Sequence, residues 1–159
     1  MKALLWIPLL ILVLGCVRAG KDFPEGNATE VKRVVNGLEV TLQTEKAVYK
    51  SGQTIVMSLT VTNKGDKPLE LIFSSSQRYD FVVEKEGKEI WRWSKDKFFA
   101  MVLGEFTLQP DQSLVYEDTW AQEDNAGKLV PPGKYEIIGI LTTAPESITS
   151  YSLNIEIVR

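Results

Sequence analysis

A few small groups of residues in this 159-residue chain could do chemistry. Lys50-Ser51 offers an amine beside a hydroxyl, the elements of a Ser-Lys dyad in which the amine takes the hydroxyl proton. The pair lies inside Tyr49-Lys50-Ser51-Gly52, a turn signal that accounts for it without chemistry. Glu123-Asp124-Asn125 gathers oxygen donors that could touch calcium, but without the ligand spacing of a dedicated loop it reads as a solvated acidic turn. Asp80 and Arg92 can form an ion pair; the expectation is a surface pair worth about 0–1 kcal/mol, and such a pair is no catalytic signature. The chain has no histidine, which removes the commonest general base and rules out Ser-His-Asp and Cys-His sites. Its one cysteine, Cys16, allows neither an internal disulfide nor a thiolate zinc site. There is no glycine-rich phosphate loop. The residues therefore suggest no catalytic set, no metal and no cofactor, and point to binding rather than to an enzyme.

Charge narrows the partners. Eighteen Lys and Arg against 21 Asp and Glu give a net charge of −3 and a pI of about 5.1. No basic cluster interrupts that balance, which argues against a nucleic-acid partner. Charged residues at 25% and hydrophobic residues at 44% are those of a globular domain.

Cys16 acquires a role from its position. Met1-Lys2 is a short positive start, and Ala3 to Leu14 is an apolar run broken only by Pro8. At about a dozen residues it suits a signal-peptide core better than a membrane span. It ends in Val13-Leu14-Gly15-Cys16, which looks like a bacterial lipobox: an apolar residue, a small residue before the cut, then the cysteine that takes the lipid. The expectation is a lipoprotein signal peptide over 1–15 and a lipidated Cys16 that anchors the exported chain to the membrane through several acyl chains. The competing reading is cleavage after Ala19, which would release a secreted protein. Asn27-Ala28-Thr29 matches a glycosylation acceptor, read as chance behind a bacterial-type leader.

The elements behind the leader are strands. Residues 16–37 are polar and mixed in charge and read as the attachment site and a tether. A single domain is expected over 38–159. Within it apolar residues recur with a period of two: Leu38, Val40, Leu42; Ile55, Met57, Leu59, Val61; Leu69, Leu71, Phe73; Leu114, Tyr116, Asp118, Trp120; Tyr135, Ile137, Gly139, Leu141; and Tyr151, Leu153, Ile155, Ile157. Turn signals separate them, among them Asn63-Lys64-Gly65-Asp66, Gln109-Pro110-Asp111 and Pro131-Pro132-Gly133. Short strands at this spacing predict an all-β fold, an antiparallel sandwich. A helical turn is expected over Lys95–Phe99.

One hairpin can be assigned a register. A two-residue turn at Glu86-Gly87 sets Glu84 against Glu89 and Lys85 against Lys88, which is unfavourable. A three-residue loop, Lys85-Glu86-Gly87, sets Phe81 against Trp91, Tyr79 against Trp93 and Asp80 against Arg92, with Gly87 at positive φ. The second register is predicted, with the four aromatics on one face as half of the core. The functional alternative is an exposed aromatic platform that stacks on sugar rings.

Ser75-Ser76-Gln77-Arg78-Tyr79-Asp80-Phe81, Trp91-Arg92-Trp93-Ser94 and Pro132-Gly133-Lys134-Tyr135, with Leu108-Gln109-Pro110-Asp111 and Tyr116-Glu117-Asp118-Thr119-Trp120 between them, resemble the BsuPI-type intracellular proteinase inhibitor family. The resemblance runs from about Leu38 to Leu141. It implies an Ig-like sandwich that inhibits serine proteinases. An inhibitor of this kind must present one extended loop, held rigid, to the proteinase cleft. Two segments qualify as candidate inhibitory loops. Phe98, Phe99, Ala100 and Met101 carry side chains suited to a hydrophobic primary pocket. Ser147 and Ile148 lie in the connection Ala144–Ser150. The chain thus reads as an envelope lipoprotein that blocks a serine proteinase. The alternative is a module that inhibits nothing and binds another envelope protein or a glycan for adhesion or assembly.

Overall fold

The computed structural model describes residues 29–159. The leader, Cys16, the cleavage site at Ala19, the acceptor Asn27 and most of the tether lie outside the described residues. The fold is an all-β sandwich, with no helix among the described residues.

One face is a four-stranded antiparallel sheet in the order β1-β2-β4-β9, built from Thr29–Val35, Leu38–Thr44, Ile55–Asn63 and Ser113–Trp120. The other is a larger sheet in the order β3-β12-β10-β6-β7. Its strands are β3 (Val48–Lys50), β12 (Leu153–Val158), β10 (Gly133–Leu141), β6 (Tyr79–Lys85) and β7 (Lys88–Arg92), and β11 (Ile148–Thr149) adds to β10. A separate ribbon pairs β5 (Leu69–Phe73) with β8 (Gly104–Leu108). The period of two in the sequence becomes alternate burial. Leu38, Val40 and Leu42 of β2 face Tyr135, Ile137 and Leu141 of β10 across a core that also holds Leu59, Phe81 and Trp120. Each such side chain contributes about 1.5–3 kcal/mol by leaving water. At the centre of β10, Gly139 makes room for the opposing sheet: a methyl group there would meet Leu59 Cδ1 at 2.8 Å and Leu42 Cδ1 at 3.4 Å.

Several expectations are revised. Residues 29–35, within the predicted tether, form edge strand β1, which pairs with β2 along its whole length. Its apolar content is thin and Glu30, Lys32 and Arg33 interrupt it, the pattern of a strand at a sheet edge. The sandwich is not wholly antiparallel, because β3 runs parallel to β12. Lys95–Phe99 holds no helix; residues 93–96 form turns closed by Lys95 N–H to Arg92 O and Lys97 N–H to Ser94 O.

Neither of the two uniform registers describes the β6–β7 hairpin. The turn is the two-residue one, with Glu86 at φ 54° and Gly87 at φ 75°, so Glu84 does face Glu89 and Lys85 does face Lys88. The like charges are answered from the side: Glu89 binds Arg92 at 2.7 Å, and the Lys85 amine lies 5.0 Å from the Tyr135 ring centre. Ile90 is then an extra residue, a bulge, beyond which Val83 faces Trp91 and Val82 faces Arg92. The Trp93 N–H bonds Phe81 O at 2.9 Å. Beyond the bulge this pairing differs from the predicted one by two residues, an even step, so the aromatic side chains keep their predicted face. Phe81 is fully buried, and Tyr79, Trp91 and Trp93 are half-buried against the core.

Candidate functional site

The residues after β7 cross from the larger sheet to the β5–β8 ribbon, and this crossing, residues 93–103, is the least covered apolar segment of the domain. Phe98 is 101% exposed, Met101 87% and Leu103 74%. Chain that exposes such side chains needs its backbone held by something else, and the motif residues hold it.

Asp80 is the first anchor. Its side chain is 4% exposed and that of Arg92 34%, so the expected surface pair is instead half-buried, with its carboxylate end covered. The reason is direction: Asp80 points beneath the start of the crossing rather than out to water. Its Oδ2 accepts from Arg92 Nη1 at 2.9 Å and from Ser94 Oγ at 2.6 Å. Its Oδ1 accepts from the N–H groups of Phe81 at 3.0 Å and Ser94 at 3.1 Å. A buried carboxylate is stable only when its lone pairs are filled in this way. The carboxylates of Glu89 and Asp80 raise the pKa of the Arg92 guanidinium, which stays charged.

The second anchor spans the two sheets. Asp118, on the inward side of β9, accepts from the Trp93 indole N–H and from the Tyr79 hydroxyl, the latter at 3.2 Å. Tyr79 stacks on Tyr116 at 4.8 Å and lies 4.4 Å from Trp93. Burial, with the Asp118 charge beside it, pushes the Tyr79 phenol up to about 12. Trp93 carries the crossing further: Phe99 packs 6.0 Å from its ring, and the Lys97 amine sits 4.3 Å from its ring centre.

The third anchor is the turn Ser75–Arg78. The Ser76 N–H donates to Ala100 O at 2.8 Å, and the Ala100 N–H donates to Ser76 Oγ at 2.9 Å. The same turn also holds the chain just after β10, since Thr142 donates its N–H to Arg78 O and its hydroxyl to Gln77 O. The second segment is tied elsewhere, since the Ala144 N–H donates to Ile72 O of β5 at 2.8 Å, and the two segments differ in what they offer. Phe98 and Met101 are free, Ala100 is pinned and exposed, and Phe99 is half-buried. In the second segment Ser147 is exposed, but Ile148 is half-buried against the core in β11. The residues beyond Met101 were missed: Val102 and Leu103 extend the exposed run, and an unbroken apolar stretch without alternation was the available signal.

The sugar-platform alternative has a cavity of about 390 Å³ lined by Trp91, Trp93, Asp96, Asp118 and Glu123. Its indoles are half-buried, and Tyr79 and Lys97 already lie against Trp93. A larger groove of about 440 Å³ lies beside Pro145 and Ser147, with Arg33 on its wall bonded to Thr149.

No curated protein matches the chain in sequence. Among solved structures, the C-terminal domain of wzt is similar at 9% identity and a TM-score of 0.51, over 86% of this chain and 80% of that one. The sporulation control protein Spo0M of Bacillus subtilis is similar at 17% identity and a TM-score of 0.48, over 79% and 51%. The β-glucosidase EmGH1 of Erythrobacter marinus is similar at 19% identity and a TM-score of 0.42, over 74% and 15%. This chain spans about half the length of Spo0M and a small part of the glucosidase. At these identities the likeness concerns the fold alone. In sequence, residues 42–146 match the family model described as "BsuPI: Intracellular proteinase inhibitor", a span that contains all three anchors and the crossing between them, and the chain belongs to that family.

Proposed function

We propose that the chain is an exported, lipid-anchored member of its family, and that the domain binds a serine proteinase and blocks its cleft without doing catalysis itself. The observation that carries this reading is the crossing at residues 93–103: Phe98, Met101, Val102 and Leu103 stand in water, while Asp80 and Ser76 bond the backbone at Ser94 and Ala100 and Asp118 holds the Trp93 side chain. A proteinase cleft binds extended chain, and a segment already held in shape loses less entropy on binding. Export and anchoring rest on Cys16 at the end of the apolar run. The test titrates the full chain, purified in mild detergent, against subtilisin, chymotrypsin and trypsin. Inhibition with a one-to-one end point in at least one of them is expected. Full residual activity in all three, at concentrations well above micromolar, would favour the non-inhibitory adhesion or assembly module instead.

A further inference from the structure

The three anchors divide the crossing unevenly. Upstream, the Lys97 N–H is bonded to Ser94 O at 3.0 Å and its amine lies against Trp93. Downstream, Phe99 packs towards Trp93 and Ala100 is bonded to Ser76 through both its N–H and its C=O. Between these held positions stands a single residue, Phe98, fully exposed. We infer that Phe98 is the specificity-determining residue of the proposed inhibitory loop, that it fills a deep apolar primary pocket, and that Phe98–Phe99 is the peptide bond presented to the proteinase.

This inference rests on the reading above and makes it more specific. A large aromatic side chain between fixed neighbours is a typical binding hot spot, because its burial costs little further ordering. Lys97, one residue away, is committed to the Trp93 ring, so a pocket that selects for a cation is not served. Met101, though exposed, lies beyond the pinned Ala100.

The same anchors bear on the fate of the bond. When the proteinase serine oxygen, its proton passed to the proteinase's own base, adds to the Phe98 carbonyl carbon, the C–N bond to Phe99 breaks. The Phe99 nitrogen then takes a proton from the proteinase's own general acid, leaving an ester and an amine. The acyl half stays held through Lys97 and Ser94, and the amine half through Phe99, Ala100 and Ser76. The amine therefore remains beside the ester at high effective concentration, and the reverse step re-forms the peptide bond and frees the serine.

The test compares the full chain with Phe98→Ala, Phe98→Lys and Met101→Ala, in the same detergent and against the same three proteinases. All three variants change exposed side chains, and circular dichroism checks that they stay folded. Phe98→Ala should weaken inhibition of chymotrypsin and subtilisin by about 100-fold, and Met101→Ala, in the same loop, by about tenfold. Phe98→Lys should move inhibition towards trypsin, and intact mass should show slow cleavage after residue 98. If the unaltered chain inhibits while Phe98→Ala inhibits equally well, the assignment of Phe98 is wrong and the inhibitory reading stands. If the unaltered chain inhibits none of the three, both fall together.

Discussion

At the scale of single residues, Asp80 shows how a buried charge can serve a surface loop. Four donors converge on one carboxylate, and two of them come from Ser94, the residue at which the chain leaves the hairpin for the crossing. Replacing Asp80 with alanine would orphan the two Ser94 donors and leave the Arg92 guanidinium with Glu89 alone. Because Arg92 keeps that partner and some water, the expected loss is about 2–3 kcal/mol, at the lower end for a broken buried pair. Urea unfolding of the variant measures it; a change below about 0.5 kcal/mol would mean that water replaces the carboxylate. Asp80 and Arg92 were legible in the sequence as a pair, but the burial of its Asp80 end was not. Sequence spacing gives the face on which a residue lies, whereas burial depends on the crossing folding back over that face, a contact between distant parts of the chain.

At the scale of elements, the strands with strong alternation were readable and the weak ones were not. Leu69–Phe73 emerges with its predicted bounds, and β2, β4 and β10 differ from theirs by a residue or two at an end. Strands β1, β3, β8 and β11 escaped, being short, charged or without a buried face of their own. The hairpin shows how local charge pairing misleads. Glu84 against Glu89 looks unfavourable in isolation, yet Arg92, one turn of the bulge away, takes up Glu89. The aromatic face survived the error because the true pairing is shifted by two residues. The turn itself yields a prediction. Glu86 sits at φ 54°, a conformation that Asn adopts more readily than Glu, and Asn-Gly is the favoured pair for such a turn. Glu86→Asn should therefore stabilise the domain by about 0.5–1 kcal/mol, and a thermal melt with no upward shift would contradict this. The candidate loop at 98–101 was legible as an apolar run; its anchoring at Ser76 was not, because no local pattern links residue 76 to residue 100.

At the scale of the whole molecule, lipidation at Cys16 remains the proposal that places the domain. Expression of the chain with and without Cys16→Ser, followed by fractionation and intact mass, is expected to show acyl mass and membrane retention only when the cysteine is present. A mature chain that begins at Gly20 without added mass would instead establish the secreted alternative. The arrangement of the larger sheet has a further bearing on how the domain comes into being. Strand β12, the last in chain order, lies inside that sheet between β3 and β10. Until it arrives, β3 has no partner in the sheet and β10 exposes one edge. Pairing of β3 with β12, in which Val48 meets Glu156 from the far end of the domain sequence, is slow, since loop closure precedes any reward from contacts. A chain in that state exposes unpaired strand edges and is prone to self-association. Ordering of the β12 amides should therefore be the late kinetic event in refolding, later than closure of the β6–β7 hairpin, and pulsed hydrogen exchange would resolve the two in time.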